Sequence, residues 1–171
     1  MEIIPYISQE SIATRVPMLA KKILNTLGND ETIIAFVLLN GGLWFASDLL
    51  RYLPSNYRLE SFRVTSYGEG TSSSGAVHWE QNMPAFAGKK VLIIDDVLDT
   101  GLTMHTIKNK LLENGAAAVY TVVAVNKQGQ RLVNCEADFH AFTAGNDFLV
   151  GYGMDYAGQF RNLPYIGRLS L

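Results

Sequence analysis

Cysteine is nearly absent from this sequence: Cys135 stands alone among 171 residues. A single thiol excludes an intrachain disulfide framework and a cysteine metal cluster, and it fits a reducing compartment. A basic excess is missing as well. Fourteen Lys and Arg face sixteen Asp and Glu, a formal net charge of -2, so no surplus is available to neutralise nucleic-acid phosphates. The longest apolar run, Ala116 to Val125, is interrupted by Tyr120 and Thr121 and is about half the length of a bilayer-spanning helix. The segment Met1 to Tyr6 has neither the basic nor the apolar stretch of a secretory signal, so the expected compartment is the cytoplasm. The one low-complexity patch, Gly68 to Gly75, is too short to separate domains and is expected to be a mobile loop. What is present is a chain with 48% apolar residues, expected to form one domain over 1–171 that buries about 70% of its unfolded surface.

The elements alternate. Ile12, Val16, Leu19, Ile23 and Leu27 recur at helical spacing within Ser8 to Leu27, although Pro17 should kink that helix or move its start. Thr32 to Leu39 is a short β-branched run expected to be a buried strand, followed by a helix over Leu43 to Tyr52. Arg58 to Tyr67 predicts a more exposed strand, and Val91 to Ile94 and Val119 to Val125 predict buried ones. Between the latter two, Thr103 to Asn114 is amphipathic, with Ile107, Leu111 and Leu112 expected inward and Gly115 as its stop. Ala137 to Phe142 and Phe148 to Val150 are short strand candidates. Buried strands separated by helices imply an α/β fold with a mainly parallel sheet, whose ligands bind beyond the carboxyl ends of the strands.

One such strand end stands out. Val91-Leu92-Ile93-Ile94 runs into Asp95-Asp96-Val97-Leu98-Asp99-Thr100-Gly101-Leu102-Thr103, where a helix opens. Gly101 permits close backbone approach, Thr100 and Thr103 offer hydroxyls, and the first free N–H groups of the helix point the same way, so this is an anion cradle that needs no lysine. Asp95 and Asp96, on opposite sides of a strand, can accept hydrogen bonds from vicinal hydroxyls or hold Mg²⁺ through them. A phosphate cradle beside a diol reader describes a ribose 5-phosphate site. An isolated Asp-Thr-Gly would be only a capped turn; the ordered strand, acid pair and helix change its meaning.

This segment resembles the phosphoribosyl pyrophosphate signature of type I phosphoribosyltransferases, and the chain is similar to their hypoxanthine–guanine branch from end to end. The resemblance implies that family's fold, a mainly parallel sheet flanked by helices, with a small hood and a flexible loop near 66–79. It implies transfer of a 5-phosphoribosyl group from phosphoribosyl pyrophosphate to hypoxanthine, and to guanine, with Mg²⁺ and release of pyrophosphate. Asp95, Asp96, Asp99, Thr100, Gly101, Leu102 and Thr103 would bind phosphoribosyl pyrophosphate, with Asp99 as general acid/base toward purine N7. Leu39, Asn40 and Gly41, with a cis Leu39–Asn40 bond, would meet pyrophosphate, and Arg161 would meet it as well or support the Asn40 loop. The family commonly has Lys where this chain has Asn40, and Glu where it has Asp95. Lys127 would bind the purine C6 oxygen, Phe148 stack on the base and Leu149 read its edge. Asp155, on the base side, would hold a second Mg²⁺ that bridges to pyrophosphate, and Asp95 and Asp96 would hold the first. Ser66 and Tyr67 would close over the site. Dimers or tetramers are the family's assemblies.

Two rivals follow from the same residues. Lys127 reads an oxygen that hypoxanthine, guanine and xanthine share, so a xanthine-preferring transferase fits the motif equally. Some proteins of this fold sense phosphoribosyl pyrophosphate and bind nucleic acid instead. Those need a basic face or an added domain, which a net charge of -2 over 171 residues does not supply. No nucleic-acid or membrane partner is therefore expected.

Overall fold

A computed structural model describes residues 1–29, 33–66, 77–79 and 85–170. The element order is β1 (Glu2–Ile7), α1 (Gln9–Leu27), β2 (Ile33–Leu39), α2 (Leu43–Leu50), β3 (Arg58–Ser66), β4 (Val77–Trp79), β5 (Lys90–Leu98), α3 (Leu102–Glu113), β6 (Ala118–Lys127), β7 (Phe139–Ala144), β8 (Leu149–Val150) and β9 (Ile166–Ser170). A six-stranded sheet has the order β4-β3-β2-β5-β6-β7. Its strands β3, β2, β5, β6 and β7 are parallel, and β4 joins the edge antiparallel. The expected mainly parallel sheet is therefore present. A separate three-stranded sheet, β1-β9-β8, brings the two ends of the described chain together as an antiparallel hood.

Strand alternation explains both helical layers. Ile33, Ala35 and Val37 of β2 and Leu92 and Ile94 of β5 face one side, where the stripe of α1 and Phe45 and Leu49 of α2 cover them. Ile34, Phe36, Val91 and Ile93 face the other side and pack on Met104, Ile107 and Leu111 of α3. With both faces covered, the strands can be almost wholly apolar.

Several sequence expectations need adjustment. Pro17 lies inside α1 without moving its start. Ser8 caps the helix by accepting from the Ser11 N–H at 3.2 Å. Val16, Leu19, Ala20 and Ile23 bury against the sheet around the proline, and that packing outweighs the lost hydrogen bond, a local cost of about 3 kcal/mol. Leu112 was expected inward but is 45% exposed, because the stripe of α3 runs through Met104, Ile107 and Leu111 at spacings of three and four. α2 ends at Leu50 rather than Tyr52. β5 does not stop at Ile94; it pairs with β6 from Lys90–Ala118 to Leu98–Asn126, carrying both acids inside the strand. Thr32 and Tyr67, the outer residues of two expected strands, lie outside the described residues, as does the Gly68–Gly75 patch.

Candidate active site

The carboxyl ends of β2, β5 and β6 open into two adjoining cavities. One, of about 530 Å³, is lined by Asn40, Arg63, Asp96, Asp99, Lys127 and Phe148 among others. The second, of about 710 Å³, includes Thr100, Gly101, Thr103 and Arg131. Asp95, Asp96, Asp99 and Thr103 line both, so the end of β5 is the partition between them.

The cradle is built as its residues require. Gly101 is the N-cap of α3 with φ +84. A Cβ there would sit 3.1 Å from Cys135 Cβ and 3.3 Å from Val133 Cγ2, so left-handed backbone and close approach both demand glycine. The Thr100 hydroxyl accepts from the Leu102 N–H at 3.4 Å, and the first turn of α3 presents its remaining N–H groups to the cavity. Cys135 is buried, and burial raises its thiol pKa, as befits a structural cysteine.

Asp99 and Lys127 meet across the ends of β5 and β6: Lys127 Nζ donates to Asp99 Oδ2 at 2.8 Å. The lysine is buried. The other carboxylate oxygen, Oδ1, is buried with no hydrogen-bond partner among the described residues. A buried acceptor of that kind is costly until a donor arrives. The pair thus presents one open acceptor and one cation at the mouth of the larger parallel ladder.

Asp95 and Asp96 sit deeper. Asp96 is only 8% exposed; its Oδ1 accepts from the Val97 N–H at 2.8 Å, and Asp95 Oδ1 accepts from the Asp96 N–H at 2.9 Å. Burial, reinforced by the neighbouring Asp96 charge, pushes the Asp95 carboxyl well above the usual range. Burial also raises Asp96, against the opposing effects of its hydrogen bonds and Arg161. An acid whose folded pKa is raised stabilises the fold fully below its unfolded pKa, and that contribution is lost as pH rises through the folded value. Above the ordinary carboxylate range the ligand-free fold therefore carries the cost of burying the Asp95 carboxyl. Asp95→Asn should raise the ligand-free Tm at pH 7.5, by about 2–4 °C for each kcal/mol relieved, and the gain should shrink as the pH is lowered. Calorimetry at several pH values checks this; a Tm gain that is constant with pH would contradict it.

The remaining segments converge on the first cavity. The Leu39–Asn40 peptide is cis, as expected, and Gly42 N–H donates to Leu38 O at 2.9 Å to close the turn into α2. Phe148 is 43% exposed and meets Tyr156 edge-on with ring centroids 5.7 Å apart, leaving ring area toward the cavity. Leu149 is fixed in β8 opposite Arg168. Asp155 Oδ1 pairs with Arg161 Nη2 at 2.6 Å, and its Oδ2 accepts from Gly158 N–H at 2.7 Å. Arg161 Nη1 also donates to Gly153 O at 2.6 Å. Ser66 ends β3 opposite Val77.

Three features had no reading in the sequence. Arg63 stands opposite Leu39 in the β2–β3 register and lines the first cavity; only the parallel pairing reveals that placement. Tyr152, with φ +50, donates to Asp48 Oδ2 at 2.8 Å and so ties the hood to α2. Arg131 donates to Asp99 O and lines the second cavity beside the cradle.

Known proteins resemble this arrangement. The family model for the phosphoribosyl transferase domain matches residues 7–157. A hypoxanthine-guanine phosphoribosyltransferase of Aquifex aeolicus is 38% identical over 161 residues, covering 94% of this chain and 90% of its own length. One from Streptococcus pneumoniae is 32% identical over 165 residues, covering 96% and 91%. The crystal structure of a hypoxanthine-guanine phosphoribosyltransferase from Bacillus anthracis superposes with a TM-score of 0.91 at 30% identity, covering 99% of this chain and 100% of that one.

Proposed function

The chain belongs to the phosphoribosyl transferase family, and from that premise we propose that it is a purine salvage enzyme forming a nucleoside 5′-monophosphate and pyrophosphate from phosphoribosyl pyrophosphate and hypoxanthine, with guanine as a second base. The observation that carries the site assignment is the Asp99–Lys127 pair, with Asp99 Oδ1 left open among the described residues, beside the Thr100–Thr103 cradle.

Each residue has a physical task. The 5-phosphate occupies the cradle of Thr100, Gly101, Leu102 and Thr103, held by hydroxyls and helix N–H groups. Asp95 and Asp96 accept from the ribose hydroxyls. Phe148 stacks on the purine, Leu149 meets its edge through the backbone, and Lys127 donates to the C6 oxygen. Asp99 Oδ1 takes the N7 proton as N9 forms its bond to the anomeric carbon and pyrophosphate departs. No enzyme nucleophile is needed. Ser66 and Tyr67 take the role the resemblance gives them, keeping water from the ring cation.

Among the described residues no three His, Cys, Asp or Glu side chains converge as a metal cage. Mg²⁺ does not need one, because it binds through one or two carboxylates together with substrate oxygens and water. The Asp95–Asp96 pair, both pushed up by burial and Asp95 also by the Asp96 charge, and Asp155, which lines the same cavity, suit it. Mg²⁺ held there would neutralise and orient the leaving pyrophosphate. Asn40 supplies no charge on that side, and Arg63 and Arg161 in the same cavity supply it instead.

Among the described residues no helix is long and apolar enough to cross a membrane. We place the enzyme in the cytoplasm as a homodimer or homotetramer. The test is nucleotide formation with Mg²⁺ and hypoxanthine, guanine, xanthine and adenine in parallel. Turnover with hypoxanthine and guanine is expected. Preference for xanthine would reassign the base, and saturable phosphoribosyl pyrophosphate binding without turnover of any base would point to a sensor.

A further inference from the structure

The loop after β6 carries no residue assigned a task in the reaction, yet one side chain in it bonds the ends of both β5 and β6. Arg131 is largely buried, with its side chain 17% exposed. Its Nε donates to Cys135 O at 2.9 Å. Its Nη1 donates to Leu98 O at 3.0 Å and to Asp99 O. Its Nη2 donates to the side-chain oxygen of Asn126. Four of the five guanidinium N–H groups are thereby committed to protein acceptors. The next residue, Leu132, donates its N–H to Thr100 O at 2.9 Å.

Three of these acceptors lie at the two strand ends that carry the reacting groups, and the fourth, Cys135 O, lies in the loop itself. Leu98 and Asn126 form the last register pair of β5 and β6. Asp99 follows the first directly and Lys127 follows the second. Beyond that pair the Asp99 carbonyl has left the ladder, and the planar fork of an arginine takes over from the sheet. A lysine is a point donor and cannot span acceptors on three segments at once. Arg131 also lines the cavity on the cradle side, so two roles are conceivable for its charge: a ligand of phosphate, or a staple under Asp99 and Lys127. The commitment of four of its donors favours the staple.

We propose that Arg131 is a positioning residue: it fixes the separation and direction of Asp99 and Lys127, and thereby base binding and proton removal, without touching either substrate. The proposal rests on the reading that Asp99 and Lys127 meet the purine. A misplacement of about 1 Å at a reacting centre can cost about a hundredfold in rate. The effect should therefore fall on the base side of the kinetics.

Wild type, Arg131→Lys, Arg131→Ala and Asn126→Ala are compared for kcat, KM for hypoxanthine and KM for phosphoribosyl pyrophosphate, with melting curves for each. Arg131→Lys should lower kcat/KM for hypoxanthine by about tenfold to a hundredfold and leave KM for phosphoribosyl pyrophosphate within about threefold. Asn126→Ala, which cuts only the β6 arm, should move the same parameter in the same direction by less. Millimolar guanidinium should restore part of the activity of Arg131→Ala. A rise confined to KM for phosphoribosyl pyrophosphate would make Arg131 a phosphate ligand and overturn the proposal. So would variants whose kinetics equal wild type once scaled to the folded fraction. If wild type itself forms no nucleotide from hypoxanthine, the functional reading fails and this role fails with it; if wild type is active and the variants match it, only the role of Arg131 is lost.

Discussion

Asp99→Asn should lower kcat for hypoxanthine by about two to four orders of magnitude while leaving KM for phosphoribosyl pyrophosphate within a few-fold. The substitution preserves size and can preserve the contact with Lys127, whose Nζ would still find an amide oxygen where it now meets Asp99 Oδ2 at 2.8 Å. The lost feature is at the other atom. Asp99 Oδ1 is buried and lacks a hydrogen-bond partner among the described residues, so it is an acceptor held ready for a proton. An amide nitrogen in that place would set one donor against another at the purine N7–H and could not take its proton. The base would then attack as a poorer nucleophile, and the defect would sit in kcat rather than in the binding of the other substrate. Steady-state kinetics with hypoxanthine varied at saturating phosphoribosyl pyrophosphate, alongside a melting curve, make the check. A variant within threefold of wild type would remove Asp99 from proton transfer.

The legibility of this site follows from distance along the chain. The cradle was readable because Asp95 to Thr103 are contiguous, and a strand, a turn and a helix start each leave a local signature. The apolar runs of β2, β5 and β6 were readable because both faces are covered, which removes any need for polar alternation. β1 and β9 left no comparable signal. They pair Glu2 with Ser170 and Ile3 with Leu169, partners at opposite ends of the chain, and β1 carries Pro5. Arg131 was illegible for a related reason: three of its four acceptors are backbone carbonyls or lie some thirty positions upstream, and a carbonyl has no sequence identity. Arg63 could be recognised as facing the cavity only once β3 was known to pair in parallel with β2. Leu112 shows the converse error, an apolar residue one step off the α3 stripe that faces solvent.

The other large effect is expected at a residue with no side chain. Gly153→Ala should reduce kcat/KM for phosphoribosyl pyrophosphate by at least about a hundredfold and lower stability by about 2–5 kcal/mol. Gly153 has φ +107 in the hood, between Tyr152 and Met154. A Cβ there would lie 2.1 Å from Gly41 O, 3.1 Å from Gly41 C and 3.3 Å from Asp96 Cβ. The two closest of these are backbone atoms, so no side-chain rotation relieves the clash. Moving from 2.1 Å to the 3.0 Å that real Cβ atoms respect requires a shift of about 1 Å, either of the hood or of the Asn40–Gly41 turn. Neither can move alone. The Gly153 carbonyl accepts from Arg161 at 2.6 Å and its N–H donates to Arg161 O at 3.0 Å, while Gly41 lies so close to Asp96 that its own Cβ would meet Oδ2 at 2.4 Å. The Asn40–Gly41 turn, Asp96 and the hood are thus stacked through two glycines, and displacing one displaces the groups proposed to hold the leaving group. Gly28→Ala supplies the control, since Gly28 also has positive φ (+77) but nothing within 4 Å of its Cβ. That variant should lose about 1–2 kcal/mol from the backbone conformation and keep wild-type kinetics. Equal activity losses in the two variants would show that backbone strain, rather than the contact between Gly153 and Gly41, sets the geometry of the site.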